Sequence, residues 1–471
     1  MTLTPEELND LKKVSEWGEM TPDGERDLRV SMFAGSSNSL FYDVPMKADF
    51  FSGNLDGNRM PKPSLEKVIA WIRGILHPIT YANRVYVYDG QQKRYVPESR
   101  HIETLAVRSF DYNGYPIPDD RTIKALNRAT AETNFPIYPF NCLTDAINVS
   151  NGVVRFPVLK LESHHYGNLF DYCIGTPYID YSSGTPDFDK YANEWGIRDT
   201  LINIGGLAIA QSMNKETWKT SFIFEGPPNG GKTTALELIE KTFGCCSHVD
   251  LTRLSDDRFA LSEVDTNLLN IADETPSMGI RKIEHFKNVT GSVNQMAEEK
   301  FKPSKPCVMT AVHVFACNDL PEVRQGDYAF WSRWHIEECK NTFPVDPRKK
   351  WQIHSLTVRE QYLYLCIRRA QEIIASGYQN NQSPDEVELL WMTRVDGAQR
   401  FIQEQCDASG PIDTISLKEI YERYGQWCKQ QNPPKPTISD RKLAALLSER
   451  DYTKYMSNGA TWFRGIIVRK W

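Results

Sequence analysis

The sequence predicts an α/β protein, with a mixed α/β region before its central part and a smaller α+β unit after it. Three observations lead to this prediction. An apolar run at 222–224 precedes a glycine-rich turn, which a helical pattern ending at Gly244 follows. Two further apolar runs, at 267–272 and 312–317, each end in polar side chains. Strands that alternate with helices along the chain are typical of the α/β class.

Composition sets the size and the general class. The chain has 471 residues, which is long enough for two to four domains. It is 40% hydrophobic and 25% charged, which is ordinary for a soluble globular protein. The net charge of −6 excludes a globally basic nucleic-acid binder. Any contact with nucleic acid would need a local patch or a lined channel.

Membrane and disulfide classes are not favoured. No apolar run approaches the ~18 residues that a membrane span needs. The acidic start at 1–8 does not resemble a signal peptide. The ten cysteines are scattered and form no C-x-x-C motif, and the adjacent Cys245 and Cys246 suit neither a metal site nor an easy disulfide. We therefore expect free thiols and a cytoplasmic protein.

The first 140 residues are predicted as an α/β region of unknown role. The expected elements are an irregular stretch at 1–60, a helix at 65–76, strands at 84–88 and 94–96, and a helix at 122–133. A primase site would need clustered carboxylates for two metal ions. Asp43 and Asp49 are too far apart for that, and Asp119–Asp120 is expected to begin a helix. Asp171 is predicted to be a solvated surface residue.

The glycine-rich turn has the pattern G-x-x-x-x-G-K-T. Its glycines allow the backbone to turn tightly and point successive N–H groups at phosphates. Lys232 would reach the β- and γ-phosphates, and the Thr233 hydroxyl would ligate Mg²⁺. The helix that follows would point its positive end at the anion. The predicted ATP-binding residues are Gly226, Pro227, Pro228, Asn229, Gly230, Gly231, Lys232, Thr233 and Thr234. The alternative is a chance match of a glycine-rich loop.

The next two apolar runs end in side chains suited to phosphoryl transfer. Asp273 would hold Mg²⁺, and Glu274 would position and activate the attacking water. The alternative for this pair is an acidic turn after a strand. Asn318 would bond the γ-phosphate or the water. Arg333 follows in an aromatic segment and would either stack structurally or act in trans on a neighbour's nucleotide. Arg324 competes for the role in trans, for which Arg333 is the favoured residue.

In order and spacing these elements resemble the superfamily 3 helicases, a branch of the AAA+ ATPases. The sequence is most similar to the phage and plasmid primase-helicases and the poxvirus primase-helicase. The stretches 254–261 and 286–291 also resemble that family, as does 151–154. The resemblance extends over roughly 75–471 and is strongest in the core.

The resemblance implies a homo-oligomeric ring, most often a hexamer, with ATP bound between subunits. Lys287 then matches a basic residue that reaches the neighbouring nucleotide; its alternative is a surface lysine. A hairpin before the third strand would grip single-stranded DNA in the channel. The predicted DNA contacts there are Lys300, Phe301, Lys302 and Lys305. Relatives carry a Lys-His pair where this chain has Phe301–Lys302, which leaves open the side chain that touches DNA.

The C-terminal unit has a helical and strand pattern compatible with a winged-helix-like domain. Its predicted elements are helices at 395–406, 416–427 and 439–447 and a strand at 462–468. Ser439 is a predicted N-cap. Arg441 and Lys442 are candidate phosphate contacts or a charged face, and such modules also bind proteins.

The domain interpretation is therefore an N-terminal α/β region, a helicase-associated collar, an AAA+ P-loop ATPase core, a helical linker or lid, and a winged-helix-like unit. The predicted boundaries are 1–140, 141–214, 215–345, 346–391 and 392–471.

The expected activity is an ATP- and Mg²⁺-dependent replicative DNA helicase, for which the resemblance suggests 3′-to-5′ movement. Expected partners are single-stranded DNA, replication forks and a primase or polymerase, with no membrane, in the cytoplasm of a host cell if a phage or plasmid encodes it. Two alternatives remain: the helicase part of a primase-helicase, and an initiator that uses ATP only to assemble. A small-molecule kinase would not explain Asn318, Arg333 and the basic hairpin together.

Overall fold

The computed structural model describes most of the chain from residue 65 onward. The described residues are 65–112, 118–130, 134–273, 280, 282–298, 300, 304–318, 320–321, 323, 326–394, 397–410, 413–430, 437–450, 452–457 and 459–469. The predicted irregular stretch at 1–60 lies outside them.

The N-terminal part of the described chain is a four-stranded sheet with three helices. Its elements are α1 (Leu65–Leu76), β1 (Ile79–Tyr81), β2 (Arg84–Asp89), β3 (Arg94–Pro97), α2 (His101–Tyr112), α3 (Asp120–Thr130) and β4 (Asn134–Phe135). The strand order is β3-β2-β1-β4. Helix α1 has its predicted bounds because Val68, Ile72 and Leu76 recur at i, i+4 spacing and are buried on one face. The predicted β2–β3 hairpin is also confirmed.

A small antiparallel sheet and two helices connect this part to the centre. The elements are β5 (Ala146–Val149), β6 (Gly152–Arg155), β7 (Lys160–Glu162), a 3-10 turn (Tyr166–Asn168), α4 (Pro186–Trp195) and α5 (Arg198–Asn214). Gly196 ends α4 in the left-handed region at φ 76°. Two separate helices therefore lie on either side of Gly196.

Asp171 is buried, and the prediction of a solvated surface residue was wrong. It is 3% exposed. The Tyr138 hydroxyl donates to its carboxylate, and Asn141 Nδ2 donates to Asp171 Oδ1 at 2.6 Å. Burial raises the pKa of Asp171 despite these bonds. Side chains distant in sequence take the place of water around this carboxylate.

The centre is a five-stranded sheet in the order β14-β8-β13-β10-β9, with all neighbours parallel. Its strands are β8 (Ser221–Glu225), β9 (Cys246–Ser247), β10 (Leu269–Ala272), β13 (Val312–Cys317) and β14 (Trp334–Glu338). The helices between them are α6 (Lys232–Phe243), α7 (Leu251–Asp256), α8 (Ala260–Val264), α9 (Ile283–Gly291) and α10 (Tyr328–Trp331). Strands β8, β10 and β13 are buried throughout, which is why they read as apolar runs.

The topology places several strand ends together. From β8 the chain crosses to β9 at the far edge, returns through β10 and β13, and then reaches β14 on the other side of β8. In open α/β sheets, ligands bind outside the carboxyl ends of strands where the strand order reverses. That point here lies between β8 and β13.

A hairpin of β11 (Asn294–Ala297) and β12 (Lys305–Val308) precedes β13. Its two strands pair Ala297 with Lys305, and residues 298–304 connect them in the sequence. The resemblance implied a hairpin at this place, and the paired strands confirm that one is present.

Helices that follow the sheet pack back on it. They are α11 (Pro347–Ile353), α12 (Leu356–Ser376) and α13 (Pro384–Arg394). Helix α12 packs along α5, and one hydrophobic core extends from Ala146 to Tyr378. The predicted divisions at 214/215 and 345/346 therefore do not separate independent cores.

The C-terminal unit has a hydrophobic core of its own, from Ala398 to Val468. Its elements are α14 (Gly397–Gln405), β15 (Cys406–Ala408), β16 (Thr414–Ser416), α15 (Leu417–Gln430), α16 (Asp440–Glu449), β17 (Thr453–Ser457), β18 (Ala460–Arg464) and β19 (Ile466–Val468). Ser439 caps α16 as predicted, accepting from Lys442 N. The predicted final strand is two strands, because Gly465 stands between them at φ 81°.

Three observations concern membrane spans, disulfide bonds and metal-binding clusters. Across the described ranges, no helix has the length and apolar character of a membrane span. All ten cysteines are free thiols. In the same part of the chain, no cluster of three or more His, Cys, Asp or Glu residues could hold a metal ion.

Candidate functional site

Two glycines give the loop after β8 its shape. Gly226 has φ +153°, and a Cβ there would lie 2.3 Å from the Cys339 carbonyl oxygen. Gly231 has φ +83° and stands at the N-cap of α6. A side chain would be strained at either position, because both backbones lie in the region that favours glycine. The loop can therefore approach a ligand closely with its backbone.

The start of α6 opens into a cavity of about 560 Å³. Among the described residues no side chain caps this helix end, so its first N–H groups are available to an anion. The cavity is lined by Pro228, Asn229, Gly230, Gly231, Lys232, Thr233, Thr234, Asp273, Cys317 and Asn318. Seven of the nine predicted ATP-binding residues therefore line one cavity. The other two, Gly226 and Pro227, begin the loop, and their carbonyl oxygens accept hydrogen bonds from Lys232.

Lys232 and Asn318 are in direct contact. The Lys232 ammonium donates to the Gly226 carbonyl at 2.6 Å, to the Pro227 carbonyl at 2.9 Å and to Asn318 Oδ1 at 3.0 Å. Lys232 is only 8% exposed, whereas Asn318 is exposed. Three oxygen acceptors thus surround a buried cation, in the way that phosphate oxygens would. Lys232 and Asn318, which the sequence assigns to one site, therefore lie within hydrogen-bond distance of each other.

Thr233 and Asp273 are both exposed and line the same cavity. A hydroxyl and one carboxylate suit Mg²⁺, which keeps several waters and binds through one or two carboxylates plus substrate phosphates. The donor set therefore fits this ion without a dedicated metal cluster. Glu274, the predicted base, lies outside the described residues.

Arg333 is bonded within its own chain. Its Nε donates to Thr290 Oγ1 at 3.0 Å, and its Nη1 donates to the Ala329 carbonyl. The residue is 9% exposed, and burial lowers the pKa of its guanidinium. This geometry favours the structural alternative over a role in trans, since a finger would have to leave these bonds. Its competitor Arg324 lies outside the described residues.

Lys287 is held by two carboxylates. Its ammonium lies 2.7 Å from Asp327 Oδ2 and 2.7 Å from Glu284 Oε1, and its side chain is 13% exposed. These bonds raise the pKa of Lys287, with the Asp327 hydrogen bond contributing most. To reach a neighbour's nucleotide, Lys287 would have to exchange these partners for phosphate.

The predicted DNA contacts differ in how exposed they are. Lys300 is exposed in the hairpin turn, with its ammonium 5.7 Å from the centre of the Phe259 ring. Lys305 is 9% exposed and forms an ion pair of 2.5 Å with Asp265. The structure thus does not place Lys305 where DNA could reach it. Arg441 and Lys442 are exposed on α16. Phe301 and Lys302 lie outside the described residues.

The ion pair with Asp265 explains why Lys305 does not lie where DNA could reach it. Burial acts to lower the pKa of Lys305, but the Asp265 carboxylate outweighs that effect and the net pKa is raised. Removing one partner of a buried ion pair typically costs about 3–5 kcal/mol. Lys305 therefore holds the base of the hairpin.

A second cavity, of about 290 Å³, adjoins the first and was missed in the sequence. Asn229, Gly231 and Thr234 line both cavities. Trp195 and Phe343 line the second cavity but not the first. They lie on either side of the loop in sequence, so no local motif could have identified them. The one local indication in the sequence was an aromatic residue, Trp195, directly before Gly196.

Comparison with known proteins gives little functional information. Residues 224–333 match the model of a family described as "Family of unknown function (DUF5906)". No curated protein matches the chain. Among solved structures, "The A form apo structure of NrS-1 C terminal region-CTR" is 13% identical with a TM-score of 0.42, covering 83% of this chain and 96% of that one. "The apo structure of NrS-1 C terminal region (305-718)" gives 13% and 0.42, covering 85% and 100%. Similarity at this level supports no conclusion about function.

Proposed function

We propose that this protein is an Mg²⁺-dependent ATP hydrolase of the AAA+ type that drives movement along single-stranded DNA, as in superfamily 3 helicases. One observation carries the proposal. Lys232, Thr233, Asp273 and Asn318, from the ends of three adjacent parallel strands and the helix after the first, line a single cavity at an uncapped helix start.

The residues of this cavity divide the work of phosphoryl transfer, which consists mainly of positioning and charge stabilisation. The N–H groups at the start of α6 hold the phosphates. Lys232 exchanges its carbonyl partners for β- and γ-phosphate oxygens. Thr233 and Asp273 hold Mg²⁺, which neutralises charge that develops on the phosphates. Asn318 orients the γ-phosphate or the attacking water, and Glu274 activates that water.

The hairpin supports the motor part of the proposal. β11 and β12 lie between the strand that leads to Asp273 and the strand that leads to Asn318. The hairpin turn is therefore linked at both ends to strands that carry nucleotide-contacting residues. The Lys305–Asp265 pair fixes the base of the hairpin, which leaves Lys300 exposed in the turn. A ring of such subunits would bring several turns to one strand of DNA.

The first experiment measures steady-state ATP hydrolysis by the wild-type protein with and without Mg²⁺ and with and without single-stranded DNA. We expect hydrolysis to require Mg²⁺ and to increase severalfold with DNA. Hydrolysis that does not respond to DNA would instead favour the initiator alternative. Absence of both ATP binding and hydrolysis would contradict the proposal.

Replacing Lys300 with alanine is expected to leave unstimulated hydrolysis unchanged and to reduce the stimulation by DNA at least about threefold. One lost phosphate contact should also make the salt dependence of DNA binding less steep by about one unit of slope. Lys340→Ala is a matched control, because Lys340 is also exposed but lies two residues beyond the end of β14. Equal DNA stimulation in Lys300→Ala and the wild type would remove Lys300 from the DNA path.

A further inference from the structure

We propose that the second cavity holds the nucleobase of the bound nucleotide and that it binds the base by stacking, with little discrimination among bases. This inference rests on the proposed function, because it assumes that the first cavity holds the phosphates. It adds a binding site for the base and a prediction about substrate range.

The two cavities meet at the loop. Asn229, Gly231 and Thr234 have surface in both. A Cβ added to Gly231 would lie 3.1 Å from Trp195 Nε1 and 3.4 Å from Phe343 Cε2. The two aromatic rings therefore approach the same point of the loop. A nucleotide whose phosphates lie at the start of α6 would extend its sugar and base past this point.

The chain holds the Phe343 segment firmly against the loop. Phe343 N donates to the Asn229 carbonyl at 2.9 Å. Asn341 Nδ2 donates to the Glu194 carbonyl at 3.2 Å, next to Trp195. The cavity is thus preformed, as is usual for small-molecule sites.

The apolar part of the lining suits a flat aromatic ligand. Beside the two aromatic rings, Pro344, Val345, Pro347 and Ile353 face this cavity. Stacking of a base on an aromatic side chain contributes about 1–3 kcal/mol and tolerates any base, because every base has a π-face.

The charged side chains of the lining already have partners. Asp346 accepts from Arg348 N at 2.9 Å and from Lys349 N at 3.1 Å, as the N-cap of α11. The Lys349 ammonium donates to Glu194, and the Lys350 ammonium donates to Glu237 at 2.7 Å. These groups are engaged in holding α11, so they are poorly placed to read the edge of a base. Sites that hydrogen-bond a substrate group reject analogues lacking it by about 10⁴-fold or more, whereas apolar pockets discriminate weakly.

The test compares nucleotides with tripolyphosphate, which has neither base nor sugar. Binding to the full chain is measured calorimetrically with ATP, GTP, CTP and tripolyphosphate, each with Mg²⁺. We expect the three nucleotides to bind within about tenfold of one another and tripolyphosphate to bind at least about tenfold more weakly than ATP, in line with one stacked base. Phe343→Ala should weaken ATP binding about tenfold and leave tripolyphosphate binding unchanged, and Phe343→Trp should restore ATP binding.

Trp351→Ala is the matched control. Trp351 lies on α11 like the cavity residue Ile353, but it is 76% exposed and lines neither cavity. Equal weakening of ATP and tripolyphosphate in Phe343→Ala would mean that the loop is distorted, and it would overturn the base site. Tripolyphosphate binding as tight as ATP binding would also overturn it while leaving the proposed function intact. A wild-type protein that binds none of the four ligands would overturn both. Discrimination above about tenfold among ATP, GTP and CTP would overturn recognition by stacking.

Discussion

Lys232→Ala is expected to reduce Mg²⁺-dependent ATP hydrolysis at least about 100-fold, the loss usual for one electrostatic contact to the transferring group. The ammonium is buried at 8% exposure and faces the carbonyls of Gly226 and Pro227 and the amide oxygen of Asn318. Alanine would remove the one lysine charge that lines the first cavity among the described residues. The measurement is steady-state hydrolysis together with ATP binding.

A control separates this effect from damage to the helix. Lys241 lies in the last turn of α6, and its side chain is 48% exposed. Lys241→Ala should therefore keep hydrolysis within about twofold of the wild type, since exposed ion pairs contribute about 0–1 kcal/mol. Lys232→Arg keeps the charge but replaces a compact ammonium with a planar fork, so it should remain strongly impaired. Full hydrolysis in Lys232→Ala would contradict the assignment of the cavity to phosphates.

The central strands and the loop could be predicted from the sequence because each is encoded by a short, local pattern. Strands β8, β10 and β13 are buried along their whole length, so each must be a continuous apolar run. The loop between β8 and α6 depends on glycines whose backbone conformations other residues rarely adopt. Each of these signals is contained in a few consecutive residues. The carboxyl ends of these strands then place Asp273 and Asn318 beside the loop.

Other parts of the site depend on contacts between distant segments. Lys305 reads as a basic residue of a hairpin turn, but Asp265 neutralises it in the folded chain. Trp195 and Phe343 meet at Gly231 only after α4 and the segment following β14 have packed on the sheet. No spacing in the sequence indicates such meetings. In the same way, no spacing in the sequence indicates that α5 and α12 share one hydrophobic core with the sheet.

The second prediction concerns Arg333, because a structural role and a role in trans lead to different expected results for its replacement. Its guanidinium joins the C-terminal end of α9, through Thr290, to the carbonyl of Ala329 in α10. Arg333→Ala would remove the hydrogen bond to the buried Thr290 hydroxyl and leave a cavity in place of a side chain that is 9% exposed. Changes of this kind cost about 3 kcal/mol. We therefore expect the thermal unfolding midpoint of the core to fall by about 5 °C or more.

The control for this variant is another arginine of the same core. Arg253 forms ion pairs with Glu263 and Asp257, but its side chain is 43% exposed. Arg253→Ala should shift the midpoint by no more than about 2 °C, because exposed pairs contribute little.

Mixing the Arg333→Ala and wild-type subunits distinguishes the structural role from action in trans. An internal clamp predicts a lowered unfolding midpoint for the variant and hydrolysis that falls in proportion to its fraction in the mixture. A finger supplied to a neighbouring subunit predicts an unchanged midpoint and a loss of hydrolysis that exceeds this fraction, because each variant subunit disables a wild-type site. The bonds to Thr290 and Ala329 lead us to expect the first result. The second result would require the Arg333 side chain to leave its buried position when subunits assemble.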